Sequence, residues 1–365
     1  MFKSNETFRK ASGIFLAVSF LLFLYFYLLD LFHYKINIDD QVAAYAATRL
    51  DLSQFVKFYT HYANGRWFSH LISACTFQFL KCNYHLYAAY LAFHLLLFVG
   101  GASFLFFNFS KSILKKPTGI RACFQSALGF TISLYFFLFE GRSEIWTWVS
   151  SVHAHLLSVT LSFFLFGILL LDGKMKRYVL PATLLSLCLG GLNEVNAAAI
   201  LVCLILFALY HTLCRINGKQ KIYLSCFAVL GLIIGLFLNY WSGGTYVRLA
   251  MLPDFKILQA FKNTLHTLLL PVLHFQMLPA FITGAVIFRL TFPQLEFKRF
   301  DKSQLQFVTA AAILFLLVIF LHCLALSDLD PPRGEIWDST FFLSALLLFW
   351  PRKTLPIQSQ LASLH

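Results

Sequence analysis

The sequence predicts an all-α, polytopic integral membrane protein with about ten transmembrane helices and amphipathic surface helices in its first outer loop. Three observations support this fold class. The chain of 365 residues is 59% hydrophobic and only 12% charged, and its mean hydropathy of +0.72 is far above that of water-soluble domains. Its apolar runs have about the length needed to cross ~30 Å of hydrocarbon. Its Lys and Arg residues cluster between alternate runs, as topology requires.

The first apolar run, at about residues 12–32, lacks the small-residue cleavage site of a signal peptide and is interpreted as a retained span. No soluble domain or internal repeat interrupts the rest, so residues 1–365 are expected to form one transmembrane domain. The further predicted spans lie at about 84–108, 119–139, 149–171, 178–191, 195–213, 222–240, 264–290, 304–326 and 338–350.

The charge distribution predicts the orientation, because Lys and Arg near span ends remain on the cytoplasmic side. With the N-terminus inside, most of the 29 Lys and Arg but only four of the 16 acids fall on the inner side. Both termini are therefore expected in the cytoplasm, and the net charge of +13 indicates contact with anionic membrane lipids rather than nucleic acid. Residues 33–83 and 241–263 become the first and second extracytoplasmic loops, so any chemistry is expected to face outward.

The first outer loop contains two helix-forming segments. In the first, DDQVAAYAATRLDLSQFVKFY, apolar residues recur at spacings of three and four residues. The second, HYANGRWFSHLISACTFQFL, begins a new pattern after an Asn-Gly break. Both are predicted to lie along the membrane surface with aromatic side chains at head-group depth. Residues 67–80 could instead form a short extra span, although this would move the basic groups KSILKK and GKMKR outside. Pairing between Cys75 and Cys82 is left open.

The acid pair Asp39 and Asp40 follows the first span directly. Asp40 could be a simple helix N-cap, its carboxylate accepting from exposed backbone N–H groups. Two neighbouring carboxylates also raise each other's pKa, and one of them can then accept a proton near neutral pH. This second property is what a general base needs, so the pair is a candidate catalytic site.

Further acids lie on the predicted outer side. Glu144, four residues after Glu140, could belong to a solvated turn that precedes the next span. Glu194 interrupts an apolar stretch of roughly thirty-five residues, where a turn built from Gly and Asn alone would cost less. Acids at membrane depth usually mark a functional cavity, and this interpretation favours a site at Glu194.

Two arginines are candidates for binding an anion. Arg248 follows the glycine pair of YWSGGTYVRLAML, and its planar guanidinium fits phosphate oxygens well. It could alternatively pair with a lipid phosphate at the interface. Arg333 follows two prolines and could form a structural ion pair with nearby acids. His153 and His155 are more typical of capping or packing, because no metal-ligand set of recognisable spacing accompanies them.

In this order along the chain, the motifs resemble those of the membrane-embedded GT-C glycosyltransferases, especially the bacterial O-antigen glucosyltransferase-like and protein O-mannosyltransferase-like families. The shared pattern is a first span followed by a long outer loop that opens with an acid pair. The matching residues are Asp39 and Asp40, Tyr45, the segment Asn64-Gly65-Arg66, the segment Glu144-Ile145-Trp146, Asn193-Glu194, and the small-residue turn from Gly243 to Arg248.

The resemblance implies transfer of a sugar from a polyprenyl-phosphate carrier to a hydroxyl group of a glycan, lipid or protein acceptor on the outer face of the bacterial inner membrane. Asp39 would be the general base, and Asp40 would orient it or help to hold a divalent cation; no other cofactor is implied. Arg248, with Arg333 or Arg66, would bind the donor phosphate. The expected remaining substrate contacts are Tyr45, Asn64, Glu144, Trp146 and Glu194.

Two other function classes stay open. A lipid or small-molecule transporter or flippase would use buried acids and arginines to handle protons or phosphate, and it predicts broken helices and inverted repeats. A non-catalytic scaffold subunit would account for the 43 Phe residues. It predicts that Asp39 and Arg248 can be replaced without loss of function.

Overall fold

The computed structural model describes residues 2–32, 38–81, 83–113, 119–137, 146–171, 175–213, 218–244 and 262–263. Regular secondary structure in these ranges is entirely helical, which confirms the all-α fold class. A 3₁₀ turn at Met175–Tyr178 leads into the eighth helix. The helices are α1 (Phe2–Phe32), α2 (Ile38–Arg49), α3 (Leu52–Tyr62), α4 (Trp67–Leu80), α5 (Tyr84–Ile113), α6 (Ile120–Phe137), α7 (Val149–Leu170), α8 (Val179–Gly190), α9 (Glu194–Leu213) and α10 (Gly218–Trp241).

Among the described residues, three helical segments are long and apolar enough to cross a membrane: His85–Lys111, Val149–Leu170 and Lys219–Trp241. Two shorter apolar segments are Ala17–Leu31 and Glu194–Leu209. Each of the first seven apolar runs of the sequence coincides with a helix, whereas the predicted spans after residue 263 lie outside the described residues. The structure therefore supports a helical membrane protein without confirming the count of about ten spans.

Helix α7 lies at the centre of the described bundle, with nearly all of its residues buried. The side chains of Thr160 and Ser162 donate to the carbonyl groups four residues earlier, so these hydroxyls are satisfied within the helix. Helix α5 packs closely on α7 at Gly101, where an added Cβ would lie 3.2 Å from the carbonyl oxygen of Thr160. Residues Val152–Leu156 form a π-helical turn near the start of α7.

Helices α8 and α10 pack backbone to backbone through glycine. A Cβ at Gly231 would lie 2.4 Å from the carbonyl oxygen of Thr183, and one at Gly235 would lie 2.3 Å from that of Leu187. Small residues four apart are the usual means by which membrane helices approach this closely. This contact places the end of α8, at Gly190, beside the last turns of α10.

Residues 38–80 form three helices rather than the two segments expected from their pattern. The break between α2 and α3 arises at Asp51, which accepts from the Gln54 N–H, while the Gln54 side chain accepts from the Asp51 N–H. This reciprocal capping box is visible in the sequence as Asp-x-x-Gln. The predicted Asn-Gly break separates α3 from α4, and α4 has a buried face that includes Phe77 and Leu80.

Candidate functional site

Asp40 caps a helix that is distant in sequence. It lies in the first turn of α2 with 0% of its surface exposed, and its carboxylate accepts from the N–H groups of Val149 and Ser150 at 3.0 Å each. The Ser150 hydroxyl also donates to it. Trp148, the residue before α7, makes no side-chain cap of its own, so Asp40 supplies the missing acceptor. Capping is one of the two roles that the sequence allows for Asp40, but the capped helix is α7 rather than its own helix α2.

Asp39 lies beside Asp40 in the sequence but is exposed. Its charge acts on Tyr59 of α3: burial, and secondly the Asp39 carboxylate, raise the pKa of that phenol. The Tyr59 ring lies against the His70 ring of α4, with centroids 5.4 Å apart. The exposed acid and the α3–α4 corner therefore belong to one region of the molecule.

The Asn64-Gly65-Arg66 segment forms a compact turn between α3 and α4. The Asn64 Oδ1 atom accepts from the Arg66 backbone N–H at 3.1 Å, and it lies 2.9 Å from His70 Nε2. His70 Nε2 also lies 3.3 Å from the Asn64 backbone carbonyl. Because a carbonyl can only accept, Nε2 carries the proton and Nδ1 of the neutral ring carries the lone pair.

Arg66 and Glu194 form an ion pair across 128 positions of the sequence. The guanidinium Nε lies 2.9 Å from Oε2, and Nη2 donates to Oε1 at 3.3 Å, which is the two-point geometry that arginine favours. The side chain of Arg66 is 12% exposed, and that of Glu194 is 38% exposed. Glu194 begins α9, whose N-terminus is capped by Asn193 through the N–H groups of Val195 and Asn196.

The start of α4 is fixed to α8 and α10. The N–H groups of Phe68 and Ser69 donate to the Gly191 carbonyl, and the Trp67 N–H donates to Asn239 Oδ1. The Trp67 indole donates to the Gly235 carbonyl at 3.2 Å. The predictions did not include Trp67, Gly191 or Asn239, because no local pattern reveals a contact between helices so far apart in sequence.

The glycine pair after α10 packs on the same turn. A Cβ at Gly243 would lie 2.5 Å from the His61 ring, and one at Gly244 would lie 2.4 Å from the Thr60 carbonyl oxygen and 2.8 Å from the Asn64 backbone. The close approach expected here is thus made to other parts of the protein: to a side chain at Gly243 and to the backbone at Gly244. Three of the expected site residues, Glu144, Arg248 and Arg333, lie outside the described residues.

His70 is a functional candidate that the predictions did not include. Burial, followed by the neighbouring Arg66 charge, lowers the pKa of His70 to about 4, while its hydrogen bond to Asn64 and the Glu194 charge act in the opposite direction. The ring is therefore neutral at pH 7. Its position four residues after Arg66, on the same face of α4, could have indicated it.

Two of the expected substrate contacts lie apart from this cluster. Tyr45 is 64% exposed, and the Arg49 guanidinium lies 5.4 Å from its ring centroid. Trp146 is 1% exposed and packs edge-on against Phe98, with Tyr135 beside it. Its indole is covered by protein and is not available for stacking on a sugar in this arrangement.

A second buried polar group connects α4 with α5 and α7. His153 Nδ1 lies 2.8 Å from the Ser73 hydroxyl, and its Nε2 lies 2.7 Å from the Tyr90 hydroxyl. Thr76 donates to the Tyr90 hydroxyl at 3.0 Å, and the His94 ring packs edge-on against Tyr90. His153, for which packing was considered more typical than ligation, is wholly buried within the π-helical turn.

An apolar cleft of about 530 Å³ lies against the face of α4 that carries Phe68 and Ile72. This face is about 200° around the helix from His70. Phe68 lines it two residues after Arg66, and Cys188 lines it three residues before Gly191. Helices α4, α5, α7 and α8 supply its walls, and its remaining lining residues are Ile72, Phe104, Leu157, Leu161, Phe164, Ile168, Pro181, Leu184 and Leu185.

Within the described part of the chain, three or more His, Cys, Asp or Glu side chains do not gather in a group that could hold a metal ion. No protein-family model, curated protein or solved structure matches the chain.

Proposed function

We propose that the protein is a membrane glycosyltransferase of the GT-C type, which transfers a sugar from a polyprenyl-phosphate carrier to a hydroxyl acceptor. One observation carries the proposal: Asp39, Asn64, Arg66 and Glu194, expected from the sequence to serve such a reaction, are grouped around Tyr59 and His70. A charged cluster of this kind suits the anionic head group of an amphiphilic donor, and the apolar cleft on the other face of α4 would take its hydrocarbon part.

In this proposal Arg66 binds the donor phosphate. Its guanidinium already holds the two oxygens of Glu194, and the O–P–O edge of a phosphate presents the same two-point geometry. Glu194 is partly exposed and would move aside to accept hydrogen bonds from sugar hydroxyls. Arg248, four residues after Gly244 in the sequence, is proposed as a second phosphate ligand.

Asp39 is proposed as the general base. It takes the proton of the acceptor hydroxyl, whose oxygen forms the new bond to the anomeric carbon as the bond from that carbon to the phosphate oxygen breaks. The carrier phosphate leaves with the electron pair, and the arginine stabilises its charge. Asp40, through its cap on α7, would hold α2 in place and so position Asp39.

The apolar cleft is proposed to hold the first part of the prenyl chain. Its lining is aliphatic and aromatic apart from the thiol of Cys188. A hydrocarbon chain is therefore the most favourable occupant, because its binding removes apolar surface from water. We also propose that the chain crosses the bacterial inner membrane about ten times and that the site faces outward.

Native mass spectrometry of the detergent-purified protein tests the donor site. We expect the wild type to retain a polyprenyl-phosphate species, whose mass reveals the sugar, and Arg66→Gln to lose it, because two charge-assisted hydrogen bonds to the phosphate disappear. Leu161→Trp, which fills the cleft, should also weaken retention.

Arg49→Gln is the matched control, since Arg49 is an exposed arginine of the same loop that contacts Tyr45 instead. It should retain the lipid as the wild type does. A wild-type protein that carries ordinary phospholipids but no polyprenyl phosphate would contradict the proposal.

A further inference from the structure

The Arg66 guanidinium is occupied by a group that an anion could replace. The Glu194 carboxylate binds it at two points, yet the Glu194 side chain is 38% exposed and begins a helix at the turn that follows α8. Rotation of this side chain toward solvent would leave Arg66, only 12% exposed, with an open pair of donors. Glu194 therefore occupies the two Arg66 donors that an external oxyanion would bind.

The backbone at the start of α4 offers little to such an anion. Helix N-termini commonly bind phosphate through unpaired N–H groups. Here the N–H of Trp67 donates to Asn239, and those of Phe68 and Ser69 donate to Gly191. Binding a doubly charged anion at Arg66 thus calls for another side-chain cation from the residues around it.

His70 is placed to become that cation. It lies one helical turn after Arg66, with Nε2–H held by Asn64 and the lone pair on Nδ1. The titratable groups around it are Tyr59 from α3, with Asp39 of α2 beyond it, Glu194 from α9, and His153 from α7.

We propose that a phosphate group displaces Glu194 from Arg66, and that His70 takes up a proton on Nδ1 as this happens and becomes the second cationic ligand of the phosphate. The proposal rests on the proposed function for the identity of the anion. With Glu194 in place, burial and Arg66 keep the ring neutral at pH 7, since they hold the pKa of His70 at about 4. A dianion brings more negative charge than Glu194, which raises that pKa and makes anion binding stronger as the pH falls.

Isothermal titration of the full-length protein in detergent with sulfate tests this coupling. Sulfate is a good probe because it stays a dianion throughout the pH range used, so any proton taken up belongs to the protein. Repeating the titration at pH 6 in buffers of different ionisation enthalpy gives the number of protons bound. We expect net uptake by the wild type, and binding about threefold or more tighter at pH 6 than at pH 7.5.

Three variants separate the contributions. His70→Gln keeps a hydrogen bond to Asn64 but should bind sulfate with no proton uptake and with the same affinity at both pH values. Glu194→Gln should bind sulfate more tightly than the wild type, because the resident competitor has lost its charge. His85→Gln, at an exposed histidine near the start of α5, is the control and should match the wild type.

Sulfate binding without proton uptake in the wild type would overturn the role of His70 while leaving a phosphate site at Arg66 intact. Equal sulfate affinity in Arg66→Gln and the wild type would overturn the site itself. Both results come from binding measurements and do not require sugar transfer. A protein that binds sulfate as expected but transfers no sugar would contradict the proposed function alone. Displacement of sulfate by geranylgeranyl monophosphate at least tenfold more strongly than by inorganic phosphate supports a lipid head group as the natural anion, and equal displacement supports a free one.

Discussion

Asp39 and Asp40 are neighbours in the sequence but have different surroundings. Asp40 is buried and accepts from the first N–H groups of α7, whereas Asp39 is exposed next to Tyr59. The physical cause is the helix itself: consecutive residues of α2 point about 100° apart, so only one of them can face α7. The acid pair therefore combines a structural anchor with a candidate base.

Replacing Asp40 with Ala should lower the melting temperature of the purified protein by several degrees. Two backbone N–H groups of α7 and the Ser150 hydroxyl lose their acceptor, at a cost of about 1–3 kcal/mol for each buried donor left unpaired. Asp39→Ala is the matched control and should melt close to the wild type. Equal melting of Asp40→Ala and the wild type would show that α7 does not need this cap.

Helix α4 connects the polar group around Arg66 with the one around His153. Its first turn is bound to α8 and α10 through Gly191 and Asn239, and its middle is bound to α7 through Ser73 and His153. Every one of these contacts involves hydrogen bonds, which have fixed distances and directions. Helix α4, with Arg66 directly before it and His70 in its first turn, is thereby fixed both at its start and in its middle.

Replacing Gly235 with Ala should destabilise the protein, because the new methyl group would lie 2.3 Å from the Leu187 carbonyl oxygen and force α8 away from α10. Gly100→Ala is the control within a helix, since nothing lies within 4 Å of its Cβ position. That variant should be neutral or up to about 1 kcal/mol more stable, as alanine favours helix. Thermal melts of both variants compare them, and similar behaviour would rule out a tight α8–α10 contact.

At the scale of the whole molecule, the candidate site is assembled from segments far apart in the chain. The pair of Arg66 and Glu194 joins the turn between α3 and α4 to the turn between α8 and α9. A double-mutant cycle with Arg66→Gln and Glu194→Gln should give a coupling free energy of about 1 kcal/mol in thermal or chemical unfolding, since partial exposure screens the pair. Additive effects of the two changes would mean that the ion pair contributes nothing to stability.

The sequence predicts many of the helices because the length of an apolar run can be read directly from consecutive residues. The runs at about 84–108 and 149–171 correspond closely to α5 and α7. The candidate site was predicted only in part. Glu194 could be selected as a charged residue in a costly position, and Asn64 and Arg66 through the family resemblance of their segment. The buried state of Trp146 and the proximity of His70 depend on packing between distant helices, which no local pattern contains.

The anchoring of Trp67 to Asn239 also determines when the site can form during synthesis. These two residues are 172 positions apart, so α4 emerges from the ribosome long before its partner on α10 exists. Until then the Trp67 N–H and indole lack these acceptors, and the Gly190 carbonyl lacks the hydrogen bond from Asn239 of α10. Contacts of such high sequence separation form late. The segment from α2 to α4 is therefore complete well before α10 exists, and Arg66 is fixed in place only after most of the chain has been translated.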